Sequence, residues 1–481
     1  MLILRNIKVW DTDELIDLAV PVADHAVLEE GGRLSGRDGD VEIDATGLTL
    51  APGLADPHVH FRDPGQTYKE SMVSGCAAAA SGGYTDVLIM PNTVPAMDGE
   101  PVKAGEPGAA EVLDAGYGTV IDYLQHYEAV HDVKLPVRYD LCVCASKGRE
   151  GREAVDLERW RTYLPDQDAG TKDEYQLAHP VTALSDDGSA VTPQILDDVF
   201  AVTRESGLYL IEHCEHHDTG AVNEGPVSRE LGVPGIPEDT ELRIVARDID
   251  KTRETGVHVH FQHVSTAISF DAIRAAKAEG LPVTCETAPH YLSLSDEALL
   301  EYGTLAKMNP PLRSEADRLA TIEAIADGTV DLLATDHAPH TLEEKELGFL
   351  EAPNGIIGLE CAYGVCHKVL VDGGHITDRR LIELMSVEPM RLMGHEPTDV
   401  TALLDRETDA SKEPEARRVL DLSQVKDVRG IGLVVLDTSA AWAVDPERFH
   451  STARNTPFGG WDVTGRPLAT IIGAEMVFSR L

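Results

Sequence analysis

Histidines and acidic side chains recur where apolar runs of this 481-residue chain end, a placement that suits metal ligation and proton transfer. His58 and His60 stand at i and i+2 at the end of LADPHVH, so on an extended strand both imidazoles point to one side and can grip one metal ion. His213 follows the run LYLIE, His263 follows HVHFQ, and Asp336 follows DLLAT. Neutral imidazole and carboxylate are the usual ligands of divalent zinc, and four histidines with one aspartate would complete a catalytic site with room for water. Asp187, in SDDG after VTAL, is placed to reach the same centre and could bridge two ions, while Asp186 alternates to the other face. His216 and His217 lie beyond a strand end, and His258 and His260 lie earlier in theirs. These four read as surface, core or supporting residues.

Eight apolar segments can carry this chemistry as strands: LADPHVH, TDVLIMPN, VRYDLCVCAS, PVTALSDDG, LYLIEHCEH, HVHFQHVS, PVTCETAPHY and DLLATDHAPH. Helix-like stretches intervene at 70–81, 192–206, 239–255, 267–279 and 314–326. This alternation indicates parallel β/α architecture. In a (β/α)8 barrel the strand ends converge on one face, whereas an open doubly wound sheet would gather its chemistry at a switch point. The expected fold class is therefore α/β, a (β/α)8 TIM-type barrel over residues 51–395. Residues 1–50 read as short strands broken by EEGGR and GRDGD, too few for a core of their own. IGLVVLD and ATIIGAEMVFS have the same character, so 1–50 and 430–481 are expected to join in one small β-rich domain. Residues 396–429, charged and without clear periodicity, read as an acidic solvated linker or excursion.

The balance of 83 acidic against 41 basic residues gives a formal charge of −42, spread along the whole length. Nucleic acid is excluded as a partner on that ground. Such a charge repels itself in dilute buffer, and molar salt, with a Debye length of roughly 3 Å, screens it. A high-salt cytoplasm is the expected origin, with an ordinary acidic protein as the alternative. The first twenty residues include Arg5, Lys8, Asp11 and Asp13, unlike the uninterrupted apolar core of a signal peptide, and no stretch approaches a membrane span. A cytoplasmic protein with no membrane partner is expected. Seven cysteines without a Cys-x-x-Cys pair argue against a disulfide framework, and Cys142 and Cys144 are expected in the core.

Taken in order, DPHVHFRDPG, MPNT at 90–93, SDDG, HCE, HVST at 263–266, KMNPPLR at 307–313 and TDHAPH at 335–340 resemble the dihydroorotases. The likeness runs from about residue 50 to 395, and NTPFGG at 455–460 resembles the family's C-terminal segment. It implies a barrel enzyme that interconverts dihydroorotate and N-carbamoyl-aspartate. Carried onto this chain, it makes His58, His60, His213 and His263 metal ligands, Asp187 a metal-bridging carboxylate, and Asp336 both ligand and general acid/base. Arg62, Asn92 and His340 become binders of the substrate carboxylate, with Asn309 beside the ring. The implied cofactor is Zn2+, one or two ions per chain. The implied partners are a small-molecule substrate and further copies of the chain, with or without an aspartate transcarbamoylase.

Hydantoinases and allantoinases, which resemble the same family, bridge their metals with a carboxylated lysine in a Phe-Lys motif. This chain has no such motif, and Lys147 in CASKGRE is the only lysine near a suitable strand end. Arg62 presents a planar fork suited to a carboxylate and would be underused by a neutral ring. Dihydroorotate is therefore preferred, with another cyclic amidase as the alternative and a non-catalytic scaffold homologue as a second, which intact ligands argue against. Asn354 stands where similar proteins often carry an apolar residue, so its loop is expected to contribute backbone.

Overall fold

In the computed structural model, which describes residues 1–29, 39–165, 178–215, 220–407 and 417–481, the eight expected segments form one parallel sheet. Its strands are β1 (Leu54–Val59), β2 (Tyr84–Ile89), β3 (Arg138–Val143), β4 (Val181–Leu184), β5 (Tyr209–Glu212), β6 (Val259–Phe261), β7 (Val283–Thr287) and β8 (Leu332–Leu333). Each pairs with its neighbour in sequence. A parallel bridge between Val59 and His337, with the His60 amide donating to the His337 carbonyl (3.0 Å), brings the last strand back to the first. The molecule is thus an α/β barrel. Strands such as YTDVLI are buried at every position, as expected when helices cover a parallel sheet.

The helices between strands start and stop where local chemistry dictates. Helix α1 (Met72–Ser81) opens on a capping box between Ser71 and Ser74. Helices α2 (Leu196–Ser206) and α3 (Asp239–Thr255) end at Gly207 and Gly256, both left-handed. Thr266 and Ser314 cap α4 (Ala267–Ala278) and α5 (Glu315–Ala326) by accepting from backbone amides in the first turn. Part of the barrel interior is filled by Ala55, Leu88, Met90, Cys142, Ala183, Tyr209 and Ile211, against Met390 and Met393. All seven cysteines are buried and free. Among the described residues no helix is long and apolar enough to cross a membrane.

A second, nine-stranded sheet draws strands from both ends of the chain. Thr49–Pro52 pairs antiparallel with Gly432–Ala443, Ala51 opposite Val434, and Leu2–Val9 lies on the other side of Thr49–Pro52. The segment read as a solvated linker departs from that reading. Its helix Val400–Glu407 and strand Val419–Asp421 bury Val400, Leu403, Leu404 and Leu420 in one cluster with Leu2, Leu4 and Ile16. Three apolar side chains at helical spacing suffice to dock one face of two turns, although charged neighbours hide the pattern. Positions 408–416 of that segment lie outside the described residues, as do His216 and His217.

Candidate active site

At the mouth of the barrel the strand ends bring six side chains to one point. Asp187, just beyond β4, stands among four histidines. Its Oδ1 lies 3.4 Å from His58 Nε2, 3.6 Å from His213 Nδ1 and 4.0 Å from His263 Nε2, and its Oδ2 lies 3.3 Å from His60 Nε2. Asp336 Oδ1 lies 3.1 Å from His60 Nε2 and 3.4 Å from His58 Nε2. His58 with His60 and Asp187, His58 with His263 and Asp336, and Asp187 with His213 and His263 each present ligating atoms within 4.8 Å of one another. All six residues are buried. His263 (φ 32°) and Asp336 (φ 48°) adopt left-handed backbone, a conformation costly for residues other than glycine and concentrated at functional sites.

The electrostatics of this pocket call for positive charge. Burial pushes the Asp336 carboxyl up, but His58 and His60 outweigh it and hold the group down to about 2. Burial opposes ionisation of Asp187 as well, yet His60 and His58 keep it well below the usual range. Against the penalty of burial, Asp336 and Asp187 hold a proton on His58, while Asp187 and Glu215 raise His213 to about 9. Burial and the neighbouring His213 instead push His263 down to about 3. The two carboxylates therefore draw protons onto His58 and His213, whereas burial pushes His60 down although both carboxylates face it. A divalent cation would take the place of those protons, so the donor set fits a metal centre.

The residues behind the centre fix which nitrogen faces it. Glu286, on β7, lies 2.7 Å from His58 Nδ1 and 3.0 Å from His260 Nε2, leaving His58 Nε2 for the centre. Thr284 Oγ1 then meets both His260 and His258, so these two histidines belong to a partly buried polar chain behind the centre. Asn92 Oδ1 lies 2.8 Å from His60 Nδ1, and Asn92 Nδ2 donates to Asp187 Oδ2 (3.3 Å). Asp186 turns away and accepts from the Ser146 amide (2.9 Å). Lys147 also points elsewhere, toward Glu153 and Glu100.

Arg62, Asn92 and Asn309 reach the same region, and His340 stands at its edge. Arg62 is half-buried, and burial pushes its guanidinium down to about 10 against the pull of Asp187 and Asp336. Its Nε donates to the Pro339 carbonyl (3.4 Å), and among the described residues its terminal nitrogens have no partner. Asn309 Nδ2 lies 3.2 Å from His213 Nε2. His340, expected to bind the substrate carboxylate, has both ring nitrogens engaged: Lys69 Nζ lies 3.3 Å from its Nδ1, and its Nε2 lies 2.9 Å from the Asn354 carbonyl. The Asn354 loop accordingly contributes backbone. Lys69, Glu286 and Asn455, whose Oδ1 accepts from the His340 amide, were not singled out as site residues from sequence. Lys69 shares the YKE triplet seven residues after Arg62, but only the fold sets it against His340.

The amidohydrolase family model matches residues 49–398. Over 491 aligned positions, covering all of both chains, the protein is 37% identical to a dihydroorotase of Geobacter metallireducens. It is 38% identical to that of Geobacter sulfurreducens across 100% of this chain and 99% of the relative. Among solved structures, a dihydropyrimidinase from Brevibacillus agri superposes with a TM-score of 0.69 at 20% identity, covering 99% of this chain and 95% of its own. An L-hydantoinase from Arthrobacter aurescens gives 0.68 at 22% identity, covering 100% and 96%. At such identity these structures speak for the fold alone. The matched barrel and the full-length relatives lead to one statement: this chain belongs to the amidohydrolase family.

Proposed function

We propose that this hydrolase of cyclic amides is a zinc-dependent dihydroorotase, opening dihydroorotate to N-carbamoyl-aspartate and closing it again in pyrimidine biosynthesis. The observation that carries the reading is Arg62, a half-buried guanidinium whose terminal nitrogens, among the described residues, lack protein partners beside the carboxylate-rich centre. A planar cation so placed suits a ligand carboxylate, which dihydroorotate has and hydantoin lacks. His58, His60, His213, His263, Asp187 and Asp336 would hold the metal, with Asp187 as the bridge if two ions bind. Zinc held there would supply Lewis-acid chemistry, making water a better nucleophile near neutral pH and an amide carbonyl more electrophilic.

Asp336 takes the proton of the attacking water and delivers it to the ring nitrogen as the C–N bond breaks. In ring closure it works in reverse. Arg62 and Asn92 orient the substrate carboxylate, and Asn309 lies beside the ring. Contact with His340 requires one of its two ring nitrogens to leave its present partner.

The test compares turnover of dihydroorotate, hydantoin and allantoin by metal-loaded protein, alongside Arg62→Met. Dihydroorotate should be preferred, and Arg62→Met should keep its metal while losing about 3 kcal/mol of transition-state stabilisation. A preference for a neutral ring, or an Arg62→Met enzyme of normal kcat/KM, would refute the assignment.

A further inference from the structure

Asn309 and His340 ride on loops beyond the barrel strands, and one buried cation ties those loops together. Lys345 ends the short helix Leu342–Lys345 and is 2% exposed. Its Nζ donates to the carbonyls of Lys307 (3.2 Å), Pro353 (2.9 Å) and Gly355 (3.0 Å), one acceptor for each N–H of an ammonium. Among the described residues it forms no ion pair, and burial, with the repulsion of Lys307, whose own Nζ donates to the Ala352 carbonyl (2.6 Å), pushes the Lys345 ammonium down to about 7. A methionine would fill the same volume without the cost of burying charge, so the ammonium needs a reason to be there.

Each acceptor lies beside a group at the site. Lys307 is two residues before Asn309, while Pro353 and Gly355 flank Asn354, whose carbonyl meets His340 Nε2. The Gly355 amide donates to the Lys307 carbonyl (3.0 Å), joining the two loops directly. Gly355 also approaches His340 so closely that a Cβ there would stand 2.7 Å from His340 Cδ2. The three segments are packed without slack, and Lys345 is bonded to two of them while belonging to the third.

We propose that Lys345 is the positioning residue of the substrate-carboxylate pocket. Its ammonium clamps the Lys307–Asn309 and Pro353–Gly355 segments against His340 and so sets where His340 meets the substrate carboxylate and where Asn309 stands beside the ring. Lys345 itself does not touch substrate. The substrate named here rests on the dihydroorotase reading, whereas the clamp can be measured without it.

Lys345→Met preserves length and volume and removes the three donors. Metal content, KM and kcat for dihydroorotate, and amide hydrogen exchange over 304–309 and 352–357 are compared with the unaltered enzyme. The clamp requires full metal, a KM raised about ten-fold or more, kcat within about three-fold, and faster exchange in those two segments while the barrel strands are unchanged. A side chain that merely fills space would lower the active fraction and leave KM alone, and that result overturns the proposal. If Lys345→Met does not fold, Thr304→Val removes only the hydroxyl bond to the Lys345 carbonyl and should shift KM and exchange the same way by a smaller factor. Unchanged KM and exchange in that variant overturn it too. If the unaltered enzyme does not turn over dihydroorotate, the function assignment fails, and unchanged exchange in Lys345→Met separately overturns the clamp.

Discussion

Asp336 unites a left-handed backbone, burial and contact with two histidines in one carboxylate. Asp336→Asn keeps an oxygen at the centre but cannot carry a proton. Turnover should fall about 10²-fold or more in both directions while metal content stays near that of the unaltered enzyme. Full metal with near-normal turnover would sink its role as proton carrier. Asp187→Ala should lose at least one metal ion, and Asp186→Ala should lose none, because Asp186 bonds Ser146 instead. Metal analysis of the two purified variants decides this, and equal metal contents would count against Asp187 as a bridge. His58, His60, Asp187, His213, His263 and Asp336 were legible because each follows an apolar run, where strand direction alone carries it to the mouth. Glu286 and Lys69 were not, since their partners His58 and His340 are 228 and 271 positions away.

At the scale of elements, the barrel strands were readable as apolar runs between turn signals, and the helices between them as stretches of helical period. The helix Val400–Glu407 was not, because Val400, Leu403 and Leu404 make a pattern of only two turns among acidic neighbours. Leu404→Ala should destabilise the protein by about 2–5 kcal/mol, read from denaturant unfolding, whereas a change near zero would return this segment to the solvent. Another junction depends on pH. Glu360 accepts from Ser81 Oγ (2.6 Å) and from the amides of His450 and Ser451, joining the barrel to the C-terminal segment. Burial pushes its carboxyl up from 4.5 to about 7. An acid whose pKa is higher folded than unfolded binds more protons when folded between those values, so its contribution is whole below 4.5 and is lost as pH rises to about 7. Glu360→Gln removes that titration. Its melting temperature should gain on the unaltered protein from pH 5 to 7, and a constant gap would show that Glu360 does not titrate there.

For the whole molecule, the unbalanced charge is the dominant feature. Even with every basic residue paired, 42 acidic groups remain unmatched. Exposed ion pairs contribute about 0–1 kcal/mol each and weaken in salt, but relief of the net repulsion works in the opposite direction and should prevail. Melting temperature and activity should therefore rise from dilute buffer to molar salt, and a flat or falling series would argue against a high-salt origin. The sheet shared by the two ends of the chain has a consequence for synthesis. Thr49–Pro52 leaves the ribosome long before Gly432–Ala443, its antiparallel neighbour, has been translated. At about 5–20 residues per second, that edge waits on the order of tens of seconds while the barrel between them emerges. A nascent chain stalled after the barrel would display an open strand edge of the kind that invites association with other chains. Closure of this sheet thus waits until Gly432–Ala443 has been translated and has met the strand made long before it.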